Sequence, residues 1–361
     1  MLPVKTLDRY IIRKFLGTFF LALTLIMAIA VMFDISEKMD DFIERKAPLG
    51  AIVFDYYFNF IPYFANLFAP LFVFISVIFF TARLAANTEV VAILNSGVSF
   101  RRMLWPYFLA SALLAALSFY FNGWLIPHSN KIKLAFENTY IKKPVEFNDR
   151  NIHRQVAPGE FIYLQSYNNL YNTGYRFSIE KYKDGKRVYF LNSERVRWDS
   201  LKAKWTIENY YERTINGYHE ELRSEKSKDT VLPMKPGDFK QRLNIIEAMD
   251  TPALNAFIKD QQSQGVANVN AYLIEKYRRV SIPFSTFILT LMGVSLSSRK
   301  VRGGIGLQLG LGITLSFTYI MFMQISTTFA TSGNLSPLVA VWLPNIVYAG
   351  VGMYLLRIAP K

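Results

Sequence analysis

Residue types that commonly carry out catalysis are few and scattered in this sequence. The three histidines are His128, His153 and His219, and there is no cysteine. None of the histidines belongs to an HExxH pattern or has a second ligand at helical spacing, so the sequence predicts no metal centre. The lack of cysteine excludes disulfides, thiolate metal sites and thiol nucleophiles. We interpret the histidines as surface or turn residues and expect no catalytic residue, no metal and no cofactor.

The sequence also lacks a phosphate-binding loop of the GxxxxGK(S/T) type. The glycines at 303, 304 and 306 open an apolar segment and do not follow a strand, as a nucleotide-binding loop would require. Any ATP hydrolysis linked to this chain must therefore come from a separate protein.

Residues 87–97 are the first candidate for contact with such a partner. Asn87 or Thr88 can cap a short helix, Glu89 suits its first turn, and Gly97 ends it. The apolar stripe of this helix and the bases that follow it are Val90, Ile93 and Leu94, then Arg101 and Arg102. The spacing fits a docking helix and a plain amphipathic interfacial helix equally well.

Long charge-free segments define the elements that must position these residues. Hydrophobic residues make up 52% of the 361 residues, and charged residues only 19%. No Asp, Glu, Lys or Arg occurs in residues 15–33, 56–82, 103–127, 280–298 or 303–356. A helix needs ~20 apolar residues to cross the ~30 Å hydrocarbon core of a bilayer. Because residues 331–337 break the last segment, the sequence predicts six spans, the last two at about 305–330 and 336–356.

Two features of these spans allow more than one interpretation. Arg13 and Lys14 precede the first span, and Ala28-Ile29-Ala30 resembles a signal-peptidase site. Because the apolar run continues to Phe33, we expect a retained helix. In the fifth span, Gly306 and Gly310 form a GxxxG pattern that permits close helix approach, without indicating which helix is the partner.

The distribution of basic residues predicts the orientation in the membrane. Six spans place both termini and the 83–102 and 299–302 loops on one side, where Asp8 and Glu89 are the only acids among many Lys and Arg. The positive-inside rule makes this side cytoplasmic and residues 128–279 extracytoplasmic. The pattern accounts for most of the net charge of +14, so we expect no nucleic-acid partner.

Between the third and fourth spans the sequence changes to alternating polar and apolar residues. Asp184-Gly185 and Asn216-Gly217 are strong hairpin turns between such segments. The spacing predicts an antiparallel sandwich or jelly roll. The predicted fold class is membrane α plus β: helices 1–3 in 1–127, a β-jelly-roll domain with connecting helices in 128–270, and helices 4–6 in 271–361. The aromatic residues of the β domain suit core packing, and ligand stacking is the alternative.

The order of several short motifs resembles that of the LptF/LptG permeases, the paired membrane subunits that extract lipopolysaccharide from the bacterial inner membrane. The resemblance covers nearly the whole chain, and the first motif is more similar to LptG than to LptF. The motifs are Leu7-Asp-Arg-Tyr-Ile11, Asn87-Thr-Glu-Val-Val-Ala-Ile-Leu-Asn-Ser-Gly97, Trp124-Leu-Ile-Pro127, Tyr277-Arg-Arg-Val-Ser-Ile-Pro283, Arg302-Gly-Gly-Ile-Gly306 and Trp342-Leu-Pro-Asn345.

The resemblance implies partners and a docking role. It implies a dimer with a homologous permease subunit, a cytoplasmic ATPase dimer, a periplasmic bridge protein and lipopolysaccharide as the substrate. It also favours docking over the interfacial alternative for residues 87–97. The expected coupling residues are Glu89, Val90, Ile93, Leu94 and Arg101.

The first and fifth helices of opposite subunits form the lipid gates in that family, which implies an apolar cavity wall. The expected wall residues are Phe19, Phe20, Leu23, Met27, Leu315, Phe317, Tyr319 and Phe322. The alternative is that these residues face bulk lipid or pack against neighbouring helices.

The lipid headgroup requires positive charge, and here the sequence departs from its relatives. They commonly carry lysines at the periplasmic end of the first helix, whereas residues 34–41 are mostly acidic, with Lys38 the single base. We therefore expect phosphate to be bound by Arg278 and Arg279, with a smaller part for Lys38. The alternative is that both arginines extend to ordinary phospholipid headgroups.

Two other classes of function stay open on the residues alone. One is a membrane enzyme acting on a lipid-linked substrate, which would need ionisable groups that these spans almost entirely lack. The other is a scaffold whose β domain senses an envelope ligand. Co-purification with a separate ATPase would distinguish both from a transporter.

Overall fold

The computed structural model describes residues 5–141, 148–168, 171–232, 234–236, 246–263, 269–299 and 304–359. Three residues of the 299–302 loop and the start of the fifth span, Lys300, Arg302 and Gly303, lie outside these ranges. The chain divides into two compact units, a helical one formed by residues 1–141, 247–251 and 270–361, and a second formed by residues 142–246 and 252–269. Each unit is described by itself below.

Six helices of the described chain are long and apolar enough to cross a membrane, which confirms the prediction of six spans. They are α1 (Thr6–Glu44), α2 (Leu49–Ala86), α4 (Phe100–Tyr140), α6 (Val269–Ser297), α7 (Gly304–Thr331) and α8 (Pro337–Ile358). Two further helices, α3 (Glu89–Asn95) and α5 (Thr251–Ser263), are too short to span.

The third span continues well past the point where the sequence suggested that it ends. Pro127 lies inside α4, which runs on to Tyr140. A π-helical turn, Phe121–Leu125, ends two residues before the proline. A π turn shifts the backbone hydrogen bonds by one residue and is one of the few ways in which a helix accommodates a local irregularity. A second π segment, Ile52–Tyr57, lies near the start of α2.

Two glycines bring α6 and α7 close to α2. A Cβ atom placed on Gly293 of α6 would lie 2.8 Å from Val77 Cγ1, and one on Gly312 of α7 would lie 2.3 Å from Ile78 Cδ1. At Gly306 and Gly310 no atom of the described residues, apart from the adjacent backbone of α7, lies within 4 Å of that position. The close approach inside this subunit is therefore made by Gly312, and the GxxxG pair is open to contact from outside.

The end of the bundle that contains the start of α1, helix α3 and the start of α4 is called the loop end here. Its apolar core is continuous across all three elements and α2, and includes Ile11, Leu84, Val90 and Met103. Helix α3 is thus part of the packed bundle and does not lie apart from it.

The second unit contains six antiparallel strands in one sheet. They are β1 (Asn148–Ala157), β2 (Glu160–Asn168), β3 (Thr173–Lys183), β4 (Lys186–Asp199), β5 (Lys204–Asn216) and β6 (His219–Thr230). Their spatial order is their order in the chain. This confirms the inserted antiparallel β domain and corrects the expected connectivity. The described strands form a meander, because short hairpin turns join neighbours, whereas a jelly roll contains Greek-key crossovers.

One transverse row of the sheet interrupts the regular pairing. The row of residues without a paired partner in the register consists of one residue from each strand: Asn151, Gln165, Arg176, Glu194, Asn209 and Lys226. Asn151, Arg176 and Asn209 have φ of 54°, 48° and 49°, values for which Asn is better suited than most residues. The row shifts the alternation by one residue, so β2 buries Leu164 before it and Tyr167 after it. Both halves of the sheet therefore contribute to one core.

Candidate coupling and lipid-facing sites

Helix α3 begins at Glu89 and ends at Asn95, close to the predicted boundaries. Its N-cap differs from the expectation. Thr88 has φ of 64°, a left-handed conformation, and no side chain caps the helix. The Thr88 hydroxyl donates to the carbonyl of Asn87 at 2.6 Å and makes no capping bond to the first turn. The left-handed backbone conformation of Thr88 lets the chain turn directly from α2 into α3.

The apolar stripe of α3 faces the inside of its own subunit. Val90 is 1% exposed, and Ile93 and Leu94 pack against the same core. The opposite face is open: Val91 is 52% exposed, and Ala92 and Asn95 are exposed as well. Because the stripe is already used by the bundle, contact with another protein in this conformation must involve the outward face.

Glu89 is half-buried and hydrogen-bonded to the first helix. It accepts from the Tyr10 hydroxyl at 3.2 Å and from the Asn87 amide at 3.2 Å. Arg101, the other polar member of the predicted coupling set, is exposed at the start of α4. Glu89 thus has one oxygen oriented towards α1 and one towards the loop, and it lies at the edge of the outward face of α3.

An ion pair that the sequence reasoning missed lies beside this helix. Arg102 donates from both Nη1 and Nη2 to the two carboxylate oxygens of Asp8, each at 2.7 Å. Asp8 also accepts from the backbone N–H of Lys5 at 2.9 Å, so its carboxylate binds the residue that precedes α1. The signal available beforehand was that Asp8 is one of two acids on a side otherwise rich in bases.

The predicted cavity wall falls into three groups by exposure. Phe20 and Phe317 are exposed, Leu23, Leu315 and Phe322 are half-buried, and Phe19, Met27 and Tyr319 are buried in the core of this subunit. The Tyr319 hydroxyl donates to Asn345 Oδ1 at 2.8 Å, so this residue links α7 to α8. Phe20 and Phe317 are thus the two exposed members of the set, at 47% and 60%.

The exposed apolar surfaces of α1 and α7 are larger than the sequence analysis proposed. Helical periodicity alone could not show which side of each helix the other helices leave uncovered. The exposed large apolar side chains of α1 include Leu21, Leu25, Ile29, Met32 and Phe33, and those of α7 include Leu311, Ile313, Ile320, Met321, Ile325 and Phe329. These residues define the α1 face and the α7 face, together with Phe20 and Phe317.

Lys38 is bonded within a polar cluster between α1 and α2. Its ammonium group contacts Asp34 and the Tyr56 hydroxyl. The Tyr57 hydroxyl donates to the second oxygen of Asp34 at 3.1 Å. Tyr56 and Tyr57 belong to the π-helical segment of α2, which brings both side chains towards α1. The charge of Lys38 is therefore balanced by Asp34.

Arg278 and Arg279 line a small polar cavity of about 50 Å³ at the start of α6. Arg279 is 5% exposed, and its Nε donates to Glu275 Oε1 at 3.1 Å. Arg278 is half-buried, and it makes no ion pair within 4.0 Å among the described residues. The other lining residues are Tyr63, Asn66, Leu67, Asn122, Ile126, Asn130, Glu247, Glu275 and Ile282. The two arginines are thus not equivalent, since Arg278 has the less compensated charge.

Burial raises the pKa of the Glu247 carboxyl above its ordinary value, and neighbouring Glu275 adds to this effect. Lys133, Arg278 and Arg279 act in the opposite direction. The cavity therefore holds charges of both signs in a confined space, with room for a few water molecules.

The aromatic residues of the β domain divide between its core and its surface. Tyr167 and Trp205 are fully buried, and the indole N–H of Trp205 donates to the carbonyl of Met234 at 2.9 Å. Tyr171 is 71% exposed, and Tyr175 is partly exposed. His153 lies against the Tyr163 ring, with ring centres 4.5 Å apart. Within the described ranges, no group of three His, Asp or Glu side chains could hold a metal ion.

Together these features define a class of protein: a multi-pass membrane protein with an antiparallel β domain inserted between its third and fourth spans. The family model of the lipopolysaccharide export system permease LptF/LptG matches residues 9–358. The chain therefore belongs to the LptF/LptG permease family. Among curated proteins, none matches this sequence as a relative. The similarity of the first motif to LptG stays a prediction.

Proposed function

We propose that this chain is a permease subunit of an ABC-type exporter that extracts lipopolysaccharide from the bacterial inner membrane. The observation that carries the proposal is the family match over nearly the whole chain. In this proposal both termini and helix α3 are cytoplasmic, and the β domain is periplasmic. A separate cytoplasmic ATPase dimer supplies the energy, a homologous permease subunit completes the lipid path, and a periplasmic bridge protein receives the lipid.

The outward face of α3 is the proposed ATPase contact. Val91 and Ala92 offer an exposed apolar surface, and Glu89 adds a carboxylate at its edge. A groove with an apolar floor and a Lys or Arg at the rim would complement this surface. The buried Val90, Ile93 and Leu94 then support the helix from behind, and Arg101 flanks it at the start of α4.

The α1 face and the α7 face are the proposed contacts for acyl chains and for the second permease. Both are apolar and uncovered by other helices of this subunit. Acyl chains can leave the bilayer at little cost when the surface that receives them is also apolar. Gly306 and Gly310, which have open space beside them, allow another helix to approach α7 closely.

Arg278 is the proposed principal phosphate contact. Lys38 and Arg279 already have acidic partners, Asp34 and Glu275. An anionic headgroup gains most from a cation whose charge is not already balanced nearby. In the proposal, Arg278 therefore carries most of the headgroup interaction, and Lys38 and Arg279 contribute less.

Strand β6 is the proposed contact with the bridge protein. It pairs with β5 on one edge, and nearly all of its residues are exposed. An exposed strand edge can accept a strand from another chain. Its many charged side chains limit indiscriminate pairing, so a partner of complementary charge is required.

Co-purification with the ATPase tests the proposal. The full chain is co-expressed with the ATPase and the homologous permease, and the complex is isolated through a tag on this chain. We expect the ATPase to be recovered with the wild-type chain and lost or strongly reduced with Glu89→Lys. Glu37→Lys, the same charge change at an exposed site near the other end of α1, is the matched control and should leave recovery unchanged. Failure of the wild-type chain to recover any ATPase would contradict the proposal.

A further inference from the structure

The two acids of the loop end both connect the first helix to the segment around α3. Asp8, in the first turn of α1, forms hydrogen bonds with Arg102 in the first turn of α4, directly after the α3 loop. Glu89, the first residue of α3, is bonded to Tyr10 of α1. Two polar contacts thus join α1 to this segment. Glu89 makes one at the start of α3, and Arg102 makes the other at the start of α4.

The Asp8–Arg102 pair is the stronger link. Asp8 is 1% exposed, and its two carboxylate oxygens accept both guanidinium donors as well as the Lys5 N–H. A bidentate arginine–carboxylate contact fixes orientation as well as distance, because two parallel hydrogen bonds resist both sliding and rotation. Separation would break two charge-assisted hydrogen bonds at once, so the two residues are expected to move together.

Apolar packing makes the connection rigid. Ile11 and Phe15, one and two turns beyond Asp8, lie in the same core as Val90 of α3 and Met103 of α4. The Tyr10 ring also contacts Phe80 of α2 edge-on, at 6.4 Å between ring centres. Packed interiors respond to displacement by moving as bodies and do not deform locally. The start of α1, helix α3 and the start of α4 therefore form one unit.

We infer that Asp8 is a positioning residue, which with Arg102 transmits displacement of α3 to α1 of the same subunit. The inference rests on the proposed function. An ATPase that moves α3 would then move the α1 face directly, without a path through the rest of the bundle. Tyr10–Glu89 is a second, weaker link in the same direction, since it is a single hydrogen bond at 3.2 Å between partly exposed groups.

The test separates transmission from ATPase docking and from folding. Asp8→Asn keeps an oxygen that can cap the helix but removes the negative charge that binds the guanidinium group of Arg102. Arg102→Lys keeps the charge and removes the bidentate geometry. Tyr10→Phe removes the second link alone. The control is Arg13→Gln, at an exposed position on α1. Each variant is reconstituted with the ATPase and the second permease, and three quantities are measured: ATPase recovered, ATP hydrolysed and lipopolysaccharide released.

We expect Asp8→Asn and Arg102→Lys to recover the ATPase normally and to hydrolyse ATP, while lipopolysaccharide released per ATP falls at least about fivefold, the lower range of allosteric couplings. Tyr10→Phe should lower the lipopolysaccharide released per ATP by a smaller factor. The control, Arg13→Gln, should leave it unchanged. Spin labels at Glu37 of α1 and at Ser96, directly after α3, both exposed and outside the proposed contacts, should report movement of α1 together with α3 on ATP addition in the wild type and reduced movement of α1 in Asp8→Asn.

An unchanged release ratio in both Asp8→Asn and Arg102→Lys would overturn the inference and leave the proposed function standing. If Asp8→Asn does not assemble, Arg102→Lys and Tyr10→Phe decide, and an unchanged ratio in both would again overturn it. If the wild-type chain itself recovers no ATPase, the proposed function fails, which is a different result from uncoupling.

Discussion

Gly312 of α7 lies directly against Ile78 of α2, so close that a Cβ atom on the glycine would be 2.3 Å from Ile78 Cδ1. A Cβ atom built on Gly310, two residues earlier, would have no described atom within 4 Å apart from the adjacent backbone of α7. Gly312 therefore packs inside the subunit, whereas Gly310 is open to contact from outside it.

We predict that Gly312→Ala destabilises the isolated subunit by about 1–3 kcal/mol, the usual cost of overpacking. Gly310→Ala is the matched control and should be neutral or slightly stabilising in the isolated subunit, because alanine favours a helix over glycine. The measurement is the thermal unfolding of each variant in detergent. Equal transition temperatures for the two variants would contradict the packing described for α7.

The two arginines of α6 should respond differently to removal of their charge. Arg278→Gln should weaken lipopolysaccharide binding by about tenfold, since a charge-assisted hydrogen bond contributes about 1.5–3 kcal/mol, and should leave stability nearly unchanged. Arg279→Gln should lower the thermal stability, because Glu275 loses the partner that it has in a mostly buried site. Lys38→Gln should reduce binding less than Arg278→Gln.

Binding of labelled lipopolysaccharide and thermal unfolding are measured on the same samples. The assignment of the headgroup to Arg278 fails if Lys38→Gln removes binding while Arg278→Gln retains it.

Glu247 should make the stability of the helical unit depend on pH. Its pKa is raised above the ordinary value of 4.5, first by burial and then by Glu275. Between the ordinary and the raised pKa, the folded state binds more protons than the unfolded state, so the free energy of unfolding decreases as pH increases through this range. Lys133, Arg278 and Arg279 reduce the effect without reversing it.

Glu247→Gln removes this titration, and its unfolding temperature should decrease less than that of the wild type as pH is raised from 4.5. Glu37→Gln, at an exposed site, should follow the wild type. Parallel curves for the wild type and Glu247→Gln would show that burial does not disfavour the charged form of this carboxyl.

Features of this protein that depend on local sequence could be predicted. The charge-free segments predicted the number and the order of the spans, because the hydrocarbon core imposes both length and composition. They did not predict every helix end, since α1 and α4 run on through charged residues to Glu44 and Tyr140. Asp184-Gly185 predicted a hairpin turn that the structure contains, with positive φ at both residues, since this conformation suits very few residue types.

Features that depend on tertiary packing could not be predicted from the sequence. The apolar stripe of α3 was visible, but a helix of seven residues can turn that stripe either to a partner or to its own bundle. Asp8 and Arg102 are 94 residues apart, and no local pattern connects them. The row of interrupted pairs through Asn151 and Asn209 needs positive φ on alternate strands, which becomes evident only once the strands are aligned.

Release of lipopolysaccharide from proteoliposomes tests the central claim most directly. The chain is reconstituted with the homologous permease and the ATPase, and vesicles containing lipopolysaccharide are incubated with the periplasmic bridge protein outside. The account predicts transfer of lipopolysaccharide to the bridge protein that requires ATP and is strongly reduced by Glu89→Lys, while Glu37→Lys transfers normally. Transfer that proceeds equally without ATP, or that is unaffected by Glu89→Lys, would contradict the account.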